Sequence, residues 1–385
     1  MAQINNNLLK HAFALFSLIP LIILIAVVLA EKSATNSDNA TAEKDIQRME
    51  KLQKAKEYVD KLNEAQNYWT AVVRENFVIM DRKPLKKMAN GPIETPKQQQ
   101  NKTQQRKANE STITLPSKFD AREKWPECAD FIGMVTHKGF NGSVSCGAGW
   151  AHSAAAVLTD RICIERLKKG IRSYTNHASS FASVQDTMES QSCDCTNGNN
   201  APAAWRWFAE TGVVTGTNYS MGLGCKPYIY PPEKNLPVKP IGCRMQCDKQ
   251  LPFNYRKGKV FKLKGAPTHW EGTDENREEE MMREIMTNGP IQATVDGYYD
   301  LLNYGKSSKR INVYVHTNEK SVFAHSLKLI GWGEQTTDKG ELVKYWNGVN
   351  SFGTDWGLNG LFKWRRGTDE CRIESFDINF GTPDV

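Results

Sequence analysis

The chain is long enough for one large or two medium domains with extensions, and its charge gives no sign of a polyanionic partner. It has 385 residues, of which 39% are hydrophobic and 10 are Trp, and a formal net charge of +7. Residues 31–114 carry 16 basic and 12 acidic side chains, whereas residues 115–385 carry 33 and 31. The globular part is therefore nearly neutral and lacks the basic clustering of a nucleic-acid-binding surface.

Residues 1–30 are predicted to be a signal peptide. Residues 11–30 contain no acid, Lys or Arg, and the segment ends in Val28, Leu29 and Ala30, which suits signal peptidase. The apolar run of about 19 residues is long for a signal peptide, so an uncleaved membrane anchor is the alternative. Cleavage would deliver the chain to the secretory pathway, with an extracellular or lysosomal destination, and only an uncleaved segment would hold it on a membrane.

Residues 31–114 are predicted to form an extension that precedes the folded domain. Apolar residues recur at three- and four-residue steps over residues 42–66, which predicts one amphipathic helix. A short apolar segment around Trp69 follows. Residues 90–114 are rich in Gln, Asn and Lys, a composition typical of an exposed linker.

Residues 115–385 are predicted to form an α+β domain with two halves. Helical patterns over residues 149–169, 183–189 and 201–211 occupy the first half, together with cysteine-rich loops. From about residue 255 the sequence changes to short alternating strands, among them "IQATVDGYY", "AHSLKLIGWG" and "LVKYWNGV". A helical half followed by a β half predicts two subdomains with a cleft between them.

The nine cysteines all lie beyond the leader, which suggests four disulfides and one free thiol in an oxidising compartment. The alternative is a zinc site that uses Cys193, Cys195, Cys225 and Cys247, but the chain has no C-x-x-C pair, so we expect no metal. Glycosylation sequons that suit a luminal chain are found at Asn39, Asn101, Asn109, Asn141 and Asn218.

The stretch "NGSVSCGAGWAHSAAAVLTDRICI" has the arrangement of a nucleophile at a helix N-terminus, but Gly149 precedes Trp150. Together with "AHSLKLIGWG", "YWNGVNSFGTDWG", "GCKPY", "LPSKFDAREKWPEC" and "CRIES", it resembles the papain-like cysteine peptidases, and within them cathepsin B, from Leu115 to about Phe380. The resemblance implies a papain-like fold with a helical left half, a β-barrel-like right half and a cleft, and an inhibitory propeptide upstream.

That family uses a thiolate at the helix start, an imidazole from the β half, an amide that orients the imidazole, and an oxyanion donor. By resemblance, His325 and Asn350 match the imidazole and the amide, and Phe352 replaces a tryptophan that covers their contact. The nucleophile position falls on Gly149. The oxyanion glutamine falls on Ser143 if residues are counted back from Trp150 without a gap, or on Asn141 if the longer loop is taken into account, and neither is Gln.

The resemblance also implies disulfides and substrate contacts. The implied pairs are Cys128–Cys163 and Cys225–Cys247, with Cys146 and Cys243 each bonded to one of Cys193 and Cys195, most simply Cys146–Cys195 and Cys193–Cys243; Cys371 is unpaired. The implied substrate-binding positions are Gly198, Asn199, Ala324 and Phe376. Phe376 stands where cathepsin B has an acid, so we expect a preference for apolar side chains.

We therefore expect a monomeric, cofactor-free and catalytically inactive homologue that binds peptides, protein substrates, protease inhibitors or another protein. A protonated His325 beside the helix N-terminus would favour weak carboxylate binding. The alternative is an active cysteine endopeptidase that uses Cys146 or Ser145 as a substitute nucleophile, or in which Gly149 is a sequence error. A membrane-tethered or glycan-bearing scaffold is a third hypothesis.

Overall fold

The computed structural model describes residues 36–75, 114–141, 144–171, 180–195, 198–236, 238, 243–244, 246–247, 261–317 and 320–385. The chain divides into two compact units, one made of residues 1–61 and 73–79 and the other of residues 62–72 and 80–385. Helix α1 (Asn36–Ala65) supplies most of the described part of the first unit. Within that unit, Arg48 pairs with Glu75 at 2.6 Å.

The second unit contains six further helices and fourteen short or long strands among its described residues. The helices are α2 (Ala121–Lys124), α3 (Ala129–Ile132), α4 (Gly149–Lys168), α5 (Val184–Glu189), α6 (Ala201–Glu210) and α7 (Arg277–Asn288). The strands are β1 (Thr70–Ala71), β2 (Phe119–Asp120), β3 (Phe140–Asn141), β4 (Val144–Ser145), β5 (Lys262–Leu263), β6 (Thr268–Trp270), β7 (Ile291–Gly297), β8 (Tyr304–Gly305), β9 (Val313–Tyr314), β10 (Phe323–Thr336), β11 (Leu342–Val349), β12 (Leu361–Arg365), β13 (Asp377–Phe380) and β14 (Pro383–Asp384).

Helix α4 is the centre of the helical half. Its small residues Ala151, Ala154 and Ala155 are almost fully buried and let α5 and α6 pack closely against it. The basic residues of its last turn complement the C-terminal end of the helix dipole. Side-chain caps define where the two neighbours begin, because Ser183 accepts a hydrogen bond from the N–H of Asp186, and Asn200 caps α6 in the same way.

An eight-stranded sheet forms the β half. Its order is β6-β13-β7-β10-β11-β12-β9, and β2 also pairs with β10. Strand β10 lies between β7 and β11 and is buried along most of its length, so both faces of the strand carry apolar residues. Gly331 permits β2 to cross closely, because a Cβ at this position would lie 2.1 Å from the carbonyl oxygen of Phe119.

The segment Leu62–Val72 belongs to the same compact unit as the C-terminal domain. Strand β1 pairs antiparallel with β8, and the Trp69 side chain is fully buried against the rings of Tyr304 and Tyr314. The Trp69 indole donates to the carbonyl of Val315 at 2.9 Å, and the Arg310 guanidinium donates to the Trp69 carbonyl. This apolar segment is therefore bound by both backbone pairing and aromatic burial.

The helices and strands expected from the sequence pattern lie close to the observed ones, and the predicted helix over residues 42–66 is part of the longer α1. Within the described part of the chain, no helix is both long enough and apolar enough to span a bilayer. The predicted leader (residues 1–30) and the linker over residues 90–113 lie outside the described residues.

Candidate active site

His325 and Asn350 form a buried hydrogen-bonded pair. His325 lies on β10, Asn350 follows the end of β11, and His325 Nε2 lies 2.7 Å from Asn350 Oδ1. The backbone N–H of Ser351 donates to the same oxygen at 2.7 Å, which fixes the orientation of the amide. Because that oxygen only accepts, Nε2 of His325 carries the proton. The Nδ1 atom has no hydrogen-bond partner among the described residues.

The surroundings of His325 disfavour its charged form. Burial, and secondarily the positive charge of Lys138, lower the pKa of His325 to about 3, against the opposing hydrogen bond to Asn350. The Phe352 ring stacks on the imidazole with 4.6 Å between centroids, which covers the contact as the sequence predicted. The expectation that a protonated His325 supplies the positive charge of an anion site is therefore wrong near neutral pH.

Gly149, the predicted nucleophile position, is the first residue of α4. The preceding residue, Ala148, offers no side-chain cap, and the first turn of the helix holds no acid. The N–H groups of Ala151 and His152 donate to the Ala148 carbonyl at 3.0 Å. The N–H groups of Gly149 and Trp150 have no intrahelical acceptor, and they lie at the positive end of the helix dipole. Gln292 on β7 fixes this end to the sheet by donating to the Trp150 carbonyl at 2.9 Å.

The loop before α4 contains a small hairpin that sequence reasoning missed. Strands β3 and β4 pair so that Phe140 faces Ser145 and Asn141 faces Val144. Residues 142 and 143 lie outside the described residues, and Ser143, one of the two oxyanion candidates, is among them. The sequence signal that could have revealed the hairpin is the dipeptide "GS" at positions 142–143, because Gly followed by Ser suits a two-residue hairpin loop.

Because the hairpin takes up the extra residues of the loop, Lys138 lies beside the His–Asn pair. Its backbone N–H donates to the carbonyl of Ser351 at 2.9 Å, and its Nζ lies 4.8 Å from the centre of the Phe352 ring. The side chain is 2% exposed, and Nζ has no hydrogen-bond partner in the described part of the molecule. Burial lowers the pKa of Lys138 to about 7. Sequence reasoning did not identify this residue.

Two further histidines complete a group that we call the basic cluster: His137, Lys138, His152 and His325. His152 lies in the first turn of α4 and its Nδ1 is 3.0 Å from Thr136 Oγ1, whereas its Nε2 is unpartnered in the described structure. Burial lowers the pKa of His152 to about 3 and that of His137 to about 4, and neighbouring positive charges add to both shifts.

Comparison with known proteins identifies the family. The sequence profile described as "Papain family cysteine protease" matches residues 115–379. The chain belongs to this family. It is 34% identical over 330 residues to "Cathepsin B-like cysteine proteinase 6" of Caenorhabditis elegans, covering 82% of this chain and 80% of the relative, and 34% identical over 278 residues (70% and 75%) to a "Gut-specific cysteine proteinase" of the same organism.

Solved structures agree with this assignment. The structure of "proCathepsin B S9 from Trypanosoma congolense" superposes with a TM-score of 0.65 at 26% identity, covering 86% of this chain and 98% of the other. A procathepsin L2 from Tenebrio molitor, at 21% identity and a TM-score of 0.56, covers 92% and 96% and supports the fold alone. The cathepsin B-like, papain-like α+β fold expected from the sequence is confirmed.

Two of the predicted substrate-binding residues of this cathepsin B-like domain lie close together. Ala324 faces Asp296 across the β10–β7 ladder, and Asp296 binds the Arg372 guanidinium at 2.6 and 2.7 Å. That guanidinium lies 3.8 Å from the centre of the half-buried Phe376 ring. The surface at Phe376 is therefore not purely apolar, because an ion-paired cation lies over the ring, and the expected preference for apolar side chains stays a prediction.

The other two predicted positions, Gly198 and Asn199, lie in the loop that leads into α6. Both are partly exposed, and Asn199 Oδ1 accepts from the N–H of Asn200 at 2.7 Å. Within the described residues, no hydrogen bond, ion pair or ring contact connects this loop to Phe376. The structure therefore brings together the residues of the β half, and it leaves the role of Gly198 and Asn199 as a prediction.

The cysteines form the four disulfides that the resemblance implied. The pairs are Cys128–Cys163, Cys146–Cys195, Cys193–Cys243 and Cys225–Cys247, and Cys371 is a buried free thiol. The four sulfurs of the alternative zinc site are bonded to one another or to other cysteines. That alternative is therefore excluded.

Possible metal ligands occur together at one place in the described part of the chain, away from the basic cluster. Ligand atoms of His316, Glu370 and Cys371 lie within 4.8 Å of one another. Glu370 already accepts hydrogen bonds from the backbone and the ring of His316 and from the Cys371 thiol. These groups satisfy one another, so the geometry is that of a stabilising polar contact.

The predicted glycosylation sites have different surroundings. Asn39 lies on α1, Asn141 is half-buried in β3, and Asn218 accepts a hydrogen bond from the N–H of Met221 at 3.0 Å. Asn101 and Asn109 lie outside the described residues. Glycosylation at these sequons remains a prediction.

Proposed function

We propose that this chain is a cathepsin B-like protein that binds peptides, protein inhibitors or a protein partner in its cleft and does not cleave them. The fold, the His325–Asn350 pair and the stacked Phe352 support a retained cleft. Two facts together carry the proposal: His325 Nδ1 has no hydrogen-bond partner among the described residues, and the helix at the nucleophile position begins with Gly149, which has no side chain. The ring nitrogen that would activate a thiol has no thiol at that position to act on.

The expected effect of this loss on catalysis is large. Where a nucleophile acts as one unit with its base, removing it lowers kcat by about six orders of magnitude. Binding contacts outside the reacting atoms are unaffected by the same change, so affinity for peptides and inhibitors survives.

The contacts of the two substitute nucleophiles argue against an active enzyme. Cys146 is bonded to Cys195, so its sulfur is not a thiolate. Ser145 is a buried residue of β4 and is paired with Phe140 in the hairpin, away from the first turn of α4. Neither has the position at a helix start that depresses a pKa.

The oxyanion donor is the second missing part in this proposal. We assign its place to Lys138, because this side chain lies over Phe352 and acts electrostatically on His325. An ammonium replaces an amide there, so the donor would carry a full charge in its protonated form. Ser143 and Asn141 remain the competing assignments.

The test is restoration of the nucleophile. Gly149→Cys is assayed on fluorogenic peptides alone, with Lys138→Gln, and with Ser143→Gln, and Gly149→Ala is the matched control that adds a side chain without sulfur. We expect no turnover by the wild type and Gly149→Ala, measurable turnover by Gly149→Cys, and a further rise only with Lys138→Gln. Turnover by wild type at the rate of its relatives, or covalent labelling of Cys146 by an epoxide inhibitor, would contradict the proposal.

We also propose that the protein matures in the secretory pathway, with a signal peptide at residues 1–30, a propeptide at residues 31–114 and a mature domain from residue 115. The four disulfides support an oxidising compartment, and the docked Leu62–Val72 segment supports a propeptide that stays attached unless it is cut. N-terminal sequencing of the secreted protein tests both cleavages. A start before residue 31 would favour the membrane anchor instead.

A further inference from the structure

Several buried polar atoms in and around the basic cluster have no hydrogen-bond partner. Within the described residues they are Lys138 Nζ, His325 Nδ1, His152 Nε2, Asn350 Nδ2 and Ser351 Oγ, and other such atoms occur elsewhere, on Asp160, Arg277, Arg366 and Asn379. Each buried donor or acceptor without a partner costs about 1–3 kcal/mol, and more when it is charged. His152, Asn350 and Ser351 also line a cavity of about 10 Å³, which has room for a water molecule only. Lys138 and His325 both lie against the Phe352 ring, and their two unpartnered nitrogens indicate a site for a ligand.

Contacts place Lys138 next to the start of α4. Its carbonyl accepts a hydrogen bond from the Tyr228 hydroxyl at 2.6 Å, and the Tyr228 ring packs edge-on against the His152 ring at 4.5 Å. His152 belongs to the first turn of α4, and its ionisation responds to the charge of Lys138. The charge of Lys138 therefore acts on the first turn of α4, where the positive end of the helix dipole lies.

The cluster has almost no negative charge of its own. Asp355 is the one carboxylate among the described residues that favours a positive charge on a member of the cluster, and it acts on His137. No described carboxylate contacts Lys138, whose side chain is nevertheless shielded from water. A buried ammonium without a counter-charge is costly, and binding an anion removes that cost.

We propose that the basic cluster is a binding site for a carboxylate, with Lys138 as its principal ligand and the N-terminal N–H groups of α4 as the second. A carboxylate fits because it brings a single negative charge to a single ammonium, whereas a doubly charged phosphate would bury an uncompensated charge. The site deepens the proposed function and depends on it, since in an active peptidase the nucleophile would occupy this space. The C-terminal carboxylate of a peptide in the cleft has this chemistry.

The affinity of the site depends on pH through Lys138. Its ammonium form predominates below a pKa of about 7, so carboxylate binding strengthens as the pH falls through that value. The other groups that face it do not reverse this trend. His137, His152 and His325 have pKa values of about 4, about 3 and about 3 and stay neutral above them, and the Asp355 carboxylate acts on His137.

The experiment measures binding of three probes to the full chain by calorimetry, at one pH well below 7 and one well above it. The probes are a blocked dipeptide with a free C-terminal acid, the same dipeptide as its amide, and acetate. Below pH 7 we expect the acid to bind about ten- to hundredfold more tightly than the amide, the range of one charged hydrogen-bonded contact. Above the Lys138 pKa this preference disappears.

Variants test whether the preference for the acid over the amide depends on Lys138. Lys138→Met, with Lys138→Gln as a second variant in case the first folds poorly, should bind the acid and the amide equally. Lys234→Met is the matched control, because Lys234 also lies over an aromatic ring, Phe140 at 5.4 Å, but is only half-buried and outside the cluster. This control should keep the preference of the wild type.

Each result separates the two proposals. Equal binding of acid and amide at both pH values, or an acid preference that survives in Lys138→Met, overturns the carboxylate site but leaves peptide binding in the cleft intact. Acetate binding that requires Lys138, without binding of either peptide, supports the site and overturns peptide binding as its use. Failure of all three probes to bind overturns the site and weakens the proposed function.

Discussion

Among the described residues of this domain, three lysines are buried, and only one of them lacks a counter-charge. Lys226 Nζ lies 2.6 Å from Glu189 and 3.2 Å from Asp186, and Lys328 Nζ lies 2.8 Å from Asp160. These side chains are 1% and 2% exposed. Lys138, with the same 2% exposure, has neither an ion pair nor a hydrogen bond from its ammonium.

The difference separates the body of the fold from its cleft. In the body, each buried ammonium has a carboxylate, as the high energy of an isolated buried charge requires. The cleft departs from this rule at Lys138, and beside it His152 and His325 each leave a buried ring nitrogen without a hydrogen-bond partner. Local violations of consistency of this kind are expected at functional sites, where a ligand supplies the missing partner. The buried charges of the scaffold thus stabilise one another, whereas the buried ammonium of the cleft is left to interact with a ligand.

Breaking a paired lysine should have the largest effect on stability. Lys328→Met leaves the fully buried Asp160 without its partner, and removing one member of a buried ion pair costs about 3–5 kcal/mol. Urea denaturation should show a free energy of unfolding lower by that amount. Lys339→Met, at an exposed position, is the control and should leave it unchanged. A small loss in Lys328→Met would remove the distinction between body and cleft.

Removing the unpaired lysine, Lys138, should raise the free energy of unfolding instead of lowering it. The pKa of Lys138 falls from 10.5 to about 7 on folding, so between these values the unfolded chain holds a proton that the folded chain lacks. Stability of the wild type therefore rises with pH across this window. Lys138→Met should be more stable below pH 7 by up to about 5 kcal/mol, and the gain should vanish toward pH 10.5. A destabilised Lys138→Met would indicate a counter-charge.

His316 and His137 should affect the pH dependence of stability in opposite directions, by a smaller amount than the two lysines. The hydrogen bond to Glu370 raises the pKa of the half-exposed His316 above 6.5, so its stabilisation is complete below 6.5 and is lost as pH rises through the folded pKa. Burial lowers the pKa of His137 to about 4, so the wild type instead loses stability as pH falls from 6.5 to 4. Urea midpoints of His316→Gln and His137→Gln against pH should therefore differ from wild type in opposite directions at acidic pH.

The sequence predicted the positions of several elements closely because their signals are local. Residues 149–169 were expected as a helix that the structure places at Gly149–Lys168, since no Gly or Pro interrupts the sequence after Gly149. The strand around His325 was recognised from its apolar run, and the Asn350 contact followed from the family resemblance. Strands such as β9, only two residues long, carry no periodic signal of their own.

Lys138 was missed for a reason that is not local. Counting back from Trp150 led to Ser143, and allowing for the longer loop led to Asn141, because neither count included the β3–β4 hairpin. Whether a lysine in such a loop is solvated or buried depends on Ser351, Phe352 and Tyr228, which are distant in sequence. Neither its burial nor its lowered pKa could be read from the neighbours of Lys138 in the chain.

The sequence by itself determined the family, the order of helices and strands, the cysteine set and the absence of a side chain at Gly149, because these are properties of residue type and spacing. Only the tertiary structure decided which charges are buried with a partner and which without one. Solvation and pairing depend on contacts between distant segments, and those contacts turn a loop lysine into the centre of a carboxylate site.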